Sequence, residues 1–100
     1  MIAVIDQIEV TSLAKGVGFS LPVLVSSAVH FKAIEAHSPD VQLGRMVSML
    51  RHAWAAIYRE RGGRVDFLYG GCMLSLVLQA GVDFKPFISI ILKGEFEYDT

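Results

Sequence analysis

Cysteine is almost missing from this 100-residue chain: Cys72 stands alone, so no internal disulfide can form. Small secreted scaffolds replace a missing core with several disulfides, and a lone thiol instead suits a reducing compartment. A cytoplasmic location is therefore expected. Charge is scarce too, at 19% of residues against about 25% in an ordinary globular domain. Neither a repeat nor a Pro-, Gly- or Ser-rich linker divides the chain, so residues 1–100 are expected to form a single domain. The uncharged run 67–82 contains Gly70-Gly71, Ser75 and Gln79, and it falls short of the roughly 20 apolar residues a membrane helix needs. The first residues carry no basic cluster and reach Asp6 early, which is unlike a signal peptide.

What the chain does have is apolar side chains, 53% of the total. A domain this small has more surface than interior. Part of that excess should remain exposed on a lone copy, which marks a contact surface. A homodimer and a protein partner are the expected associations. Net charge is only -1, yet residues 41–64 hold Arg45, Arg51, Arg59, Arg61 and Arg64 against the single acid Glu60. Such polarity orients encounters more than it sets affinity.

The elements follow from period and punctuation. A short β-rich edge strand is expected at residues 2–5. A short helix is expected over 13–17, capped by Thr11 or Ser12 and stopped by Gly16 and Gly18. The run Pro22-Val23-Leu24-Val25 is either a buried extended segment or the approach to a helix. A second helix over 28–36 takes its cap from Ser26 or Ser27. Ser38-Pro39-Asp40 then places a cap, a proline and an acid where a helix begins. Leu43, Met46, Val47, Leu50, Trp54, Ile57 and Tyr58 recur at helical spacing behind it, with Trp54 as the expected anchor between helix and sheet. Gly62-Gly63 should end that helix. Beyond it the period becomes two, through Val65, Phe67 and Tyr69, a Gly70-Gly71 turn, a strand over 73–80, a loop over 81–86 and a strand over 87–93. The predicted class is α+β: N-terminal helices, one long and amphipathic over about 39–61, packed on a C-terminal three-stranded antiparallel meander.

Motifs for chemistry are few. His30, His37 and His52 are too scattered to chelate a structural metal, and no metal or cofactor is expected. Cys72 lacks a neighbouring base. Gly16-Val17-Gly18 and Gly70-Gly71 do not have phosphate-loop spacing. Nothing in the sequence fixes a partner for Asp66, and solvated carboxylates are the default reading for it, Asp83, Glu95 and Glu97. No acid, base and nucleophile converge, so the expectation is not an enzyme.

Residues 8–30 resemble an uncharacterised domain family of bacterial plasmids, phages and other mobile elements. Val10, Ala14, Gly18-Phe19, Pro22-Val23, Val25, Ser26 and Ala28-Val29 carry the likeness. The segment around Trp54 and Arg59, and the run Pro86-Phe87-Ile88-Ser89-Ile90-Ile91-Leu92, are similar too. His30 departs from the pattern, where a bulky aromatic would be expected. The resemblance implies an accessory protein of a mobile element that binds host or rival machinery, and the expected form is an inhibitor of a host or defence complex in the manner of an anti-CRISPR protein.

Two surfaces compete for function. If Leu74, Leu76, Leu78, Ile88, Ile90 and Leu92 face the long helix, the other sheet face shows Met73, Ser75, Val77, Phe87, Ser89 and Ile91. Either the N-terminal segment covers that face or another protein does, and Met73, Val77, Phe87 and Ile91 are the expected partner or dimer interface. Arg45, His52 and Arg59 form a stripe on the far side of the helix, with Arg51 beside it. The stripe is a solvated face, or an electrostatic contact made through Arg45, Arg51 and Arg59. The alternative function is thus a small nucleic-acid-binding regulator, although the pI near 6.3 is far from the value above about 9 typical of such domains.

Overall fold

A computed structural model describes residues 7–59, 64–81 and 85–94, apart from the side chain of Tyr58. The expected strand at 2–5, the helix end at Gly62-Gly63, and Arg61, Asp83, Glu95 and Glu97 lie outside them. Five strands form one sheet: β1 (Gln7–Glu9), β2 (Val23–Ser26), β3 (Arg64–Tyr69), β4 (Cys72–Ala80) and β5 (Pro86–Leu92). The helices are α1 (Thr11–Val17), α2 (Ser27–Val29), which runs on as a π-helix over His30–Ile34, and α3 (Pro39–Arg59).

The α+β class holds, but the three-stranded meander is corrected to a five-stranded mixed sheet ordered β1-β2-β5-β4-β3. β3, β4 and β5 are antiparallel neighbours, while β2 pairs β5 in parallel through Val23↔Ile88 and Val25↔Ile90, and β1 adds antiparallel to β2. The segment Val23–Ser26 is therefore a central strand. Its backbone groups are paired by a strand on each side, and one of these, β5, comes from the other end of the chain.

One core fills the space between the helices and the sheet's first face. It joins Ala14 of α1, Val29 of α2, Met46, Met49, Leu50, Ala53 and Ala56 of α3, and Val23, Val25, Val65, Phe67, Leu74, Leu76, Ile88 and Ile90 of the strands. The buried side of α3 is rotated from the expected stripe: Leu43 is exposed and Val47 half-buried, while Met49, Ala53 and Ala56 face inward. Small alanines let the helix approach the sheet, a preference that a search for large apolar residues overlooks. Trp54 is corrected in the same way. It is half-buried and meets the loop after α1, with its ring edge-to-face on Phe19 at 5.1 Å.

Local chemistry fixes the ends of the elements. The side chain of Ser26 accepts from the Val29 amide and caps α2. Neither Thr11 nor Ser12 caps α1: the N-cap is Val10, and Thr11 Oγ1 instead accepts from the Val23 amide, tying α1 to β2. The π-helix closes with an i→i+5 bond from the Glu35 amide to the His30 carbonyl, and Arg45 donates to the carbonyls of Ile34 and Glu35 at its end. Gly70 and Gly71 both have positive φ, 60° and 77°, the backbone a two-residue hairpin turn of this hand requires. Among the described residues no helix is long and apolar enough to cross a membrane.

Candidate functional site

The second face of the sheet is built from the residues that alternate with the core. Strand register places Leu24, Phe87, Ser89, Ile91, Val77, Ser75, Met73, Asp66 and Leu68 on it. Among the described residues, every helical residue of the core belongs to the cluster on the first face. The second face has three zones. Ser26, Ser75, Ser89 and Ile91 are buried along its middle. Val77 and Phe87 flank them half-buried. Leu68 and its cross-strand partner Met73 are exposed near the hairpin, at 60% and 44%.

The expected interface residues Met73, Val77, Phe87 and Ile91 thus share a face but differ in access. Ile91, at 3% exposure, offers nothing to an incoming surface. Leu68 was overlooked, although counting outward from Gly70-Gly71 sets it opposite Met73.

A polar cluster interrupts the apolar surface, and the sequence reading that left Asp66 without a fixed partner is corrected by it. The Ser75 hydroxyl donates to Asp66 Oδ1 at 2.7 Å, and Arg64 Nη2 donates to the same hydroxyl at 3.1 Å. Lys93 Nζ lies 3.3 Å from Asp66 Oδ2, and Arg64 Nε lies 3.7 Å from Oδ1. The Asp66 carboxyl is held below its ordinary range, first by the Ser75 hydrogen bond, which outweighs the opposing effect of desolvation, and then by Lys93 and the charge of Arg64. A serine bonded to a carboxylate suggests a nucleophile, but Ser75 is fully buried and its oxygen already accepts from a guanidinium. The cluster ties β3, β4 and β5 together. Ser89 Oγ is buried without a hydrogen-bond partner among the described residues.

The arginine stripe is only partly available. Arg45, Arg51, His52 and Arg59 are exposed. Arg45 is committed to the end of the π-helix, while His52 bonds the Ser48 carbonyl and stacks edge-on against Tyr69. Arg64 belongs to the Asp66 cluster. Arg51 and Arg59 make no side-chain bond to another described residue. His30 is half-buried and His37 exposed, and the described residues contain no group of three His, Cys, Asp or Glu side chains fit to hold a metal ion. Cys72 opens β4, half-buried. A shallow cleft of about 370 Å³ lies at the β1–α1 junction, lined by Glu9, Val10, Thr11, Ser12 and Leu13, with Glu9 as its one charged group among these. The chain matches no protein-family model, no curated protein and no solved structure.

Proposed function

We propose that this chain is a non-enzymatic contact protein that docks another protein on the second face of its sheet. One observation supports this above the others: the described helices pack on the first face, while the second presents Leu68 and Met73 to solvent beside half-buried Val77 and Phe87. Exposed apolar side chains beside a charged cluster are the composition of a binding patch. The narrower reading, an inhibitor of a host or defence complex carried by a mobile element, rests on the resemblance of residues 8–30.

The test is glutamate at Met73 and Val77, separately. Light scattering at micromolar concentration should show a mass above the 11.0 kDa of one chain. Either glutamate should reduce association, with other copies or with a captured partner, while the melting transition persists. Association untouched by both changes removes this face from the function.

A further inference from the structure

β3 closes one side of the sheet, and its outer edge is open among the described residues. Edge strands are usually blunted by shortness, proline, a bulge or an exposed charge. β3 has six residues, no proline and no bulge against β4. Its acid is no guard, because Asp66 is tied back to Ser75 and Lys93 across the sheet. The two-residue turn makes Tyr69 and Cys72 a hydrogen-bonded pair, so Phe67 and Val65 also commit their N–H and C=O groups to β4. Asp66 and Leu68 aim theirs outward, and neither has a backbone partner among the described residues.

Helix α3 turns this edge into one side of a groove. It packs over β3, and its two flanks differ. Trp54 meets Phe19 and the loop after α1. His52 comes two residues earlier, about 200° around the helix, on the flank away from α1. There its ring stands edge-on to Tyr69 at 5.1 Å, and the Tyr69 hydroxyl donates to the Arg45 carbonyl at 3.1 Å. Arg45 and Arg59 lie two turns to either side of His52, on the same flank, and all three are exposed. Arg45 donates to the carbonyls of Ile34 and Glu35 but keeps its charge, whereas Arg59 makes no side-chain bond to another described residue. The groove thus has an open strand edge below and cations above, with Leu68 exposed at its rim.

We propose that this groove takes an extended acidic segment of a partner protein, added antiparallel to β3 through the outward N–H and C=O groups of Asp66 and Leu68. The proposal rests on the reading of the chain as a contact protein, and names the chemistry of its partner. Backbone bonds to a free edge hold the segment, and alternation sorts its side chains between the two faces. Those on the first face lie along the α3 flank, where the charges of Arg59 and Arg45 favour carboxylates. Those on the second face lie beside Leu68 and Asp66. An apolar side chain there extends the exposed Leu68–Met73 pair, while a carboxylate would face Asp66, and like charges directly opposite are destabilising. The fitting segment therefore alternates acidic and apolar residues.

The test is a titration of the isotope-labelled chain, followed by its amide resonances, with the end-blocked peptide Glu-Val-Glu-Val-Glu. Its counterpart Lys-Val-Lys-Val-Lys and the acidic peptide methylated at both valine nitrogens are the controls. The acidic peptide should shift the amides of Asp66 and Leu68 and bind about tenfold more tightly than the basic one, a preference that shrinks as salt rises. Methylation should weaken binding by about tenfold or more, because the valine N–H groups meet the Asp66 and Leu68 carbonyls. Arg59→Glu, at an exposed helix position, should keep the fold and remove the preference for acid over base. Equal binding of the acidic and basic peptides, or methylation without effect, overturns the proposal. Shifts confined to Met73, Val77 and Phe87 overturn the edge site and leave the contact-protein reading standing. No binding of the acidic peptide at millimolar concentration also overturns the edge site, and the response of association to Met73→Glu then decides the contact-protein reading by itself.

Discussion

Three serines occupy the middle of the second face, and they differ in what they hold. Ser26 caps a helix, Ser75 bridges Asp66 and Arg64, and Ser89 has a buried hydroxyl with no partner among the described residues. An unpaired buried hydroxyl gives nothing back for its lost hydration. Urea denaturation should therefore find Ser89→Ala neutral or stabilising by up to about 1 kcal/mol, and Ser75→Ala destabilising by about 1–2 kcal/mol. A cost for Ser89→Ala equal to that of Ser75→Ala would mean that Ser89 is bonded after all. Asp66 adds a dependence on pH. Its carboxyl is lowered in the fold from the ordinary 3.8, so its contribution is complete above the unfolded value and is lost as pH falls through the folded one. The stability difference between the unaltered chain and Asp66→Asn should be constant near neutrality and should shrink below about pH 4. About a third of this side chain is exposed, so solvent screens the effect and keeps it small. A difference that grows on acidification would contradict this sign.

At the scale of elements, the sequence revealed what local pattern controls. The Gly70-Gly71 hairpin followed from two glycines between alternating runs, and the start of α3 from Ser38-Pro39-Asp40. The hairpin register also contained the site: counting outward from the turn sets Asp66 beside Ser75 and Leu68 beside Met73. The turn type alone sets that pairing, whereas composition by itself makes Asp66 a solvated carboxylate. The parallel β2–β5 pairing was illegible for a different reason. It joins residues more than sixty positions apart, and nothing in Pro22-Val23-Leu24-Val25 names its partner. The role of Trp54 is not legible in the sequence, because periodicity gives the face of a helix but not its neighbour. That neighbour is the loop after α1, where Gly18 has φ 138° and a Cβ would stand 3.0 Å from Trp54 Cε2. Gly18→Ala should thus be disfavoured by both backbone and space, costing about 1–3 kcal/mol. Trp54→Ala should cost about 2–4 kcal/mol, a little under the value for a fully buried tryptophan. Tryptophan fluorescence in Gly18→Ala should shift if the ring is displaced, and an unchanged spectrum with unchanged stability would show that the loop does not press on it.

For the molecule as a whole, the remaining question is which surface meets a partner, and the two candidates differ in how strongly they respond to salt. Phosphate binding releases condensed counterions, so its affinity falls steeply with salt and scales with the number of cations engaged. Five arginines between residues 41 and 64 invited that reading. The fold withdraws much of it: Arg45 closes the π-helix, Arg64 sits in the Asp66 cluster, and Arg51 and Arg59 remain on the outer side of α3 without a side-chain bond to another described residue. Among the described residues this leaves two of those cations on one helix, in a chain of net charge -1, which gives little electrostatic attraction. Protein docking on the second face depends instead on apolar area and changes modestly with salt. Duplex DNA and single-stranded RNA titrated at physiological salt should accordingly bind no tighter than about 10 μM, within the range of non-specific association. Arg51→Ala with Arg59→Ala should alter that weak binding without affecting self-association. Submicromolar binding abolished by the same pair would reverse the assignment and make the outer face of α3 the working surface.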